Sequence, residues 1–99
     1  MNLDLPERWR AEIAQILVRH LPGAEVRAFG SRVTGKNHPG SDLDLAVLGG
    51  TPAGLTAARS ALAESNVPIS VDLLAYESLP ESYREVIDRS AVPFPLNPA

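Results

Sequence analysis

A Gly-Ser pair, Gly30-Ser31, is followed after ten intervening residues by Asp42-Leu43-Asp44, and a third aspartate, Asp72, lies further along the chain. These types and spacings suit chemistry on a phosphorylated ligand. A glycine lets the backbone approach a phosphate closely, a helix N-terminus presents free N–H groups, and the Ser31 hydroxyl adds another donor. Arg32 is the nearby side chain expected to meet a polyphosphate, with Lys36 a weaker candidate. Residues two apart on a strand point the same way, so Asp42 and Asp44 form a pair on one face. Two like charges so close repel, and a hard divalent cation such as Mg²⁺ relieves them through the carboxylate oxygens. Asp72, among Val71, Leu73 and Leu74, is expensive to bury unpaired. If its strand lies beside that of Asp42 and Asp44, it projects toward the same pocket. Three carboxylates can hold two metal ions about 3.5–4 Å apart, which stabilises the attacking and leaving oxygens of phosphoryl chemistry.

The elements that must position these residues can be read in order. Trp9, Ile13, Ile16, Leu17 and His20 fall at helical spacing between about Leu5 and Leu21, with Pro6 in the first turn and "LPG" ending the helix. "AEVRAFG" alternates as a strand, Gly30 breaks it, and Ser31 caps a short helix through about Gly35. "KNHPGS" is loop by composition. "DLDLAVL" is a second strand, with Leu43, Leu45 and Val47 on the face opposite Asp42, Asp44 and Ala46. Thr51-Pro52 opens a helix to about Ser65. "VPISVDLLAY" is a third strand, and "LPESYREVIDRS" a last short helix with Leu79, Tyr83, Val86 and Ile87 inward. The expected fold is a small α/β (α+β) domain: a mixed sheet of about three strands flanked by helices, over residues 1–90. Residues 91–99, "AVPFPLNPA", are expected to form a proline-rich extended tail.

Composition narrows the function. The 99 residues fit one domain with a modest core. Apolar residues make up 44% and charged ones 21%, a globular balance. The net charge of −3 argues against direct nucleic-acid binding, which calls for a basic face, but a nucleotide carried with a metal remains compatible. Without cysteine, thiolate sites are excluded. The charged N-terminus lacks a signal peptide's apolar run, and no stretch suits a membrane span, so a cytoplasmic address is expected.

The pattern G-S, ten residues, D-x-D and a later strand aspartate resembles the nucleotidyltransferase superfamily of DNA polymerase β. Gly30, Ser31, Asp42, Asp44 and Asp72 all match, over roughly residues 7 to 75. The short length, with "FGSR…G" leading to "SDLDLAV", looks most like the minimal nucleotidyltransferases of the MntA-like kind. The resemblance implies that Asp42 and Asp44 bind both Mg²⁺ ions. It implies that Asp72 binds the catalytic one and helps activate the incoming hydroxyl. It further implies transfer of AMP from ATP to a tyrosine of a HEPN-domain ribonuclease toxin, which this chain would silence as an antitoxin. A chain holding only the nucleotide half needs a partner to supply the acceptor, which favours a protein substrate. Two alternatives stand beside it: an antitoxin that masks the toxin by docking alone, and transfer to an antibiotic or other small molecule with a second subunit. Trp9 reads as core or interface, and Lys36 and His38 as loop surface. Tyr76 and Tyr83 are candidate self-modification targets, with packing in the core or its rim the favoured reading.

Overall fold

The computed structural model describes residues 3–96. Its first helix, α1 (Glu7–His20), follows Pro6, whose carbonyl accepts the N–H groups of Trp9 and Arg10 at 3.0 and 3.1 Å. The helix buries Ile13, Ala14 and Leu17, spaced along one face. Strand β1 (Glu25–Phe29) leads into the short helix α2 (Ser31–Thr34), and strand β2 (Leu43–Leu48) follows the loop. The Thr51 hydroxyl accepts the Gly54 N–H at 3.0 Å and so caps α3 (Pro52–Ala63), which buries Leu55, Ala58 and Leu62. Strand β3 (Val71–Ala75), a single 3-10 turn (Tyr76–Ser78), helix α4 (Glu81–Ser90) and strand β4 (Val92–Pro93) complete the order.

The sheet runs β3-β2-β1-β4. Strand β1 is antiparallel to β2 and to β4, whereas β2 and β3 are parallel. Strand alternation gives the sheet two unlike faces. Leu43, Leu45 and Val47 of β2, Val26 and Ala28 of β1, and Leu73 of β3 join α1 and α3 in the main core. Full burial of one such leucine stabilises the fold by about 1.5–3 kcal/mol. The other face carries only a small cluster, Phe29, Ala46 and Ile87, with Leu74, Tyr76, Leu79 and Ala91 at its rim. Helix α4 therefore covers one end of that face and leaves the end with Asp44 and Asp72 open.

Two expectations need correction. The sheet has four strands rather than about three, because Val92–Pro93 pairs with β1. The segment after Ser90 is extended as expected, but it is no appendage. The Phe94 N–H donates to the Val26 carbonyl at 2.9 Å, and its ring is 2% exposed within the main core. Pro93 is tolerated because a two-residue edge strand has a free side toward solvent. Of the expected tail, residues 97–99 lie outside the described residues. The second correction concerns α4. Its one buried residue is Ile87, while Tyr83 and Val86, expected inward, are 46% and 53% exposed. No helix among the described residues is long and apolar enough to cross a membrane.

Candidate active site

Gly30 joins β1 to α2 in a conformation, φ 84° and ψ −158°, that is essentially confined to glycine. Space imposes the same choice. A Cβ here would overlap Oδ2 of Asp44 and lie 3.3 Å from its Cγ. The Gly30 carbonyl accepts the N–H groups of Val33 and Thr34 at 3.0 and 3.1 Å, forming the first turn of α2. The N–H groups of Ser31 and Arg32 lie ahead of those bonds and make no hydrogen bond among the described residues. Ser31 is half-buried beside them. Gly35, with φ 83° and ψ 8°, ends the helix in the left-handed region.

The three aspartates come from two adjacent strands. Parallel pairing sets Asp44 level with Asp72, and antiparallel pairing sets Phe29 level with Asp44 on the other side. Asp72, Asp44 and Phe29 thus form a row across this face of the sheet, running from the exposed Asp72 to the buried Phe29. Asp44 is half-buried, Asp72 is exposed, and Asp42 stands exposed one residue before β2 begins. Burial, then the Asp72 carboxylate, then Asp42, push the Asp44 carboxyl above its ordinary range. Among the described residues no three acidic or histidine side chains close around a common point. The aspartates are neighbours rather than a finished cage. Their chemistry still fits a hard divalent cation: the donors are all carboxylate oxygens, and Asp44 pays for ionisation unless a positive charge joins it.

Arg32 does not occupy the position expected of it. It is 3% exposed, and its guanidinium donates from Nε to the Ser41 carbonyl at 3.0 Å, from Nη1 to Asp4 at 2.9 Å and from Nη2 to Pro39 at 2.9 Å. Its Cζ lies 6.0 Å from the centroid of Trp9. Three carbonyls take up this guanidinium and make it the clamp of the loop that delivers Asp42. Lys36 and His38, read as loop surface, are exposed.

Other residues border the carboxylates. Tyr83 and Val86 of α4, with Phe29 and Thr34, line a cleft of about 530 Å³ that includes Gly30 and Asp44. On the other side, Tyr83, Leu74 and Arg59 line a second cleft with Asp44 and Asp72. Arg59 reaches from α3 over the outer edge of β3 and donates to the Leu73 carbonyl at 2.6 Å. Periodicity could not have found Arg59, since its role depends on β3 being an edge strand. Tyr83 and Val86 carried a helical signal, but that signal also fits burial.

A profile of the nucleotidyltransferase domain matches residues 10–94, so it includes the segment after Ser90. The chain is 40% identical over 89 residues to the "Probable protein adenylyltransferase MntA" of Haemophilus influenzae, covering 87% of this chain and 78% of that protein. It superposes with a TM-score of 0.70 on a solved minimal nucleotidyltransferase, 33% identical, over 94% of this chain and 96% of the other. It also shares its fold with a chain of a toxin–antitoxin crystallised with AMP-PNP, at a TM-score of 0.71 and 22% identity, over 86% of this chain and 71% of that one. A glycine-specific turn packed against register-paired strand aspartates agrees with these likenesses, and the chain belongs to the minimal, MntA-like nucleotidyltransferases.

Proposed function

We propose that this chain is a Mg²⁺-dependent protein adenylyltransferase acting as an antitoxin. It transfers AMP from ATP to a tyrosine of a HEPN-domain ribonuclease toxin and thereby inactivates it, in the cytoplasm. The observation that carries the reading is the placement of Asp44: level with Asp72, pressed against Gly30, at the open end of the sheet. The relative named an adenylyltransferase and the fold shared with toxin–antitoxin complexes support it.

In this reading Asp42, Asp44 and Asp72 hold Mg²⁺, and the Gly30–Ser31 turn binds the triphosphate through backbone N–H groups and the Ser31 hydroxyl. Bound Mg²⁺ supplies neutralisation of phosphate charge. The chain's own part is positioning. The exposed Asp72 carboxylate takes the proton of the acceptor hydroxyl. The acceptor oxygen bonds to the α-phosphorus, the bridging bond toward the β-phosphate breaks, and pyrophosphate leaves. Arg32 takes no part with phosphate and keeps the Asp42 loop in place.

A second reading, neutralisation by docking alone, is favoured by the exposed apolar surface of Tyr83 and Val86 beside the site. One experiment separates the two. A HEPN-domain ribonuclease toxin is incubated with this chain, ATP and Mg²⁺, and its intact mass is recorded. Whole-AMP gains that vanish with Asp42→Asn/Asp44→Asn are expected. An unmodified partner that nonetheless loses its RNase activity, equally with both forms, would leave docking as the mechanism.

A further inference from the structure

Two tyrosines follow the aspartate-bearing strands, and the fold treats them differently. The Tyr76 hydroxyl donates to Oδ1 of Asp88 at 2.6 Å, with the Arg27 guanidinium carbon 6.0 Å from its ring centroid. Its phenol is committed to that surface network. The Tyr83 hydroxyl makes no hydrogen bond among the described residues, and the side chain is 46% exposed. Tyr83 borders both clefts that meet at Asp44, the one containing Gly30 and the one containing Asp72. Its ring meets Phe29 edge-on, with centroids 6.3 Å apart and planes at 89°. Phe29 is itself level with Asp44 in the sheet. The Tyr83 side chain therefore borders both the cleft of the Gly30 turn and the cleft of Asp72.

We infer that Tyr83 is an acceptor in its own right, so that the chain adenylylates itself there. The inference rests on the transferase reading above and adds a modification site to it. The Tyr83 oxygen forms a bond to the α-phosphorus of ATP, and the bond from that phosphorus to the oxygen bridging the β-phosphate breaks. Pyrophosphate leaves, and the phenolic proton passes to Asp72 and on to water. The product is a tyrosyl adenylate phosphodiester, and ATP is the only co-reactant. An acceptor carried on the same fold needs no encounter step, which raises the effective concentration of a weak nucleophile. The adenylate then lies in the cleft between Gly30 and Asp72, where it keeps out the next nucleotide. A partner hydroxyl competes for the same α-phosphate, so the partner protects the chain from its own chemistry.

The test uses the full chain alone with ATP and Mg²⁺, read by intact mass and by peptide mapping of the adduct. One AMP per chain, mapped to Tyr83, is expected. It should be absent in Asp42→Asn/Asp44→Asn and in Tyr83→Phe, and kept in Tyr76→Phe, with matching melting temperatures for both tyrosine variants to show that they fold. Addition of the HEPN-domain protein should reduce the label. AMP on any other residue, or no label from a preparation that does modify the HEPN-domain protein, overturns the inference and leaves the proposed function standing. A preparation that labels neither protein overturns both. A rate constant that rises in proportion to concentration over about a tenfold range overturns the within-chain geometry.

Discussion

Replacing Gly30 by alanine probes the contact at the centre of the site. The φ 84°, ψ −158° conformation costs a non-glycine residue about 1–3 kcal/mol. The added Cβ also overlaps the Asp44 carboxylate, which can yield only by rotating. A side chain driven about 30° from its rotamer loses about 0.5–1.5 kcal/mol. The two costs together come to about 1.5–4.5 kcal/mol, against the roughly 5–15 kcal/mol that holds a domain folded. Urea unfolding of the metal-free protein should therefore show a lower midpoint with an unchanged slope. The two costs separate in an Asp44→Ala background. There the nearest Asp44 atom is Cβ, at an ordinary 3.5 Å, so Gly30→Ala should cost only the backbone share of about 1–3 kcal/mol. The difference between backgrounds measures the carboxylate contact. AMP transfer by Gly30→Ala should fall further than its folded fraction, because the carboxylate that moves is one of the three proposed to hold Mg²⁺. Equal costs in the two backgrounds would refute the steric argument. A cost below about 0.5 kcal/mol, the level of an ordinary surface substitution, would refute the backbone argument.

Two further outcomes follow from the same geometry. Because the Asp44 carboxyl is pushed up, by burial first and by Asp72 and Asp42 after it, the folded chain binds this proton more tightly than the unfolded chain. That contribution to stability is full below the unfolded carboxyl's pKa and is lost as pH rises through the folded one. In EDTA, Asp44→Asn should thus be more stable than wild type at neutral pH and show a flatter profile across that acidic window; an unchanged slope in thermal melts would refute this. Arg32→Lys removes the fork that holds three carbonyls and should cost about 1.5–3 kcal/mol in urea unfolding, with unchanged ATP affinity in the protein that remains folded. A loss of affinity without a loss of stability would return Arg32 to the phosphate site.

The legible parts of the fold were those set by local rules. Strand alternation at Leu43, Leu45 and Val47 put the aspartates on the opposite face, and the Gly-Ser break after β1 fell where the structure turns. The unread parts depended on what the rest of the chain covers. The apolar stripe of α4 was visible, but periodicity does not tell how much of a stripe a small domain can bury. Here Ile87 goes under and Tyr83 and Val86 stay out. Arg32 sits one residue after Ser31, and adjacency suggested phosphate. Its direction is instead decided by the carbonyls of Asp4, Pro39 and Ser41, which converge only in three dimensions. The prolines after Ser90 pointed to an extended segment and hid an edge strand, because Phe94 alone gave little sign that a pocket awaited it.

That last strand has a kinetic consequence. Strand β1 pairs with β2 across one short helix and a loop, whereas its bond to the Phe94 N–H joins positions roughly seventy residues apart in sequence. The local pairing can form early, and the distant one must wait for the slower search that non-local contacts impose. In the interval β1 is an outer strand, with a row of unsatisfied backbone groups above an empty slot in the core. Such an edge can pair with another unfinished molecule. The moment at which Phe94 seats is then the moment at which the sheet stops being a template for its neighbours, and the yield of folded protein should depend on how fast that happens relative to encounter.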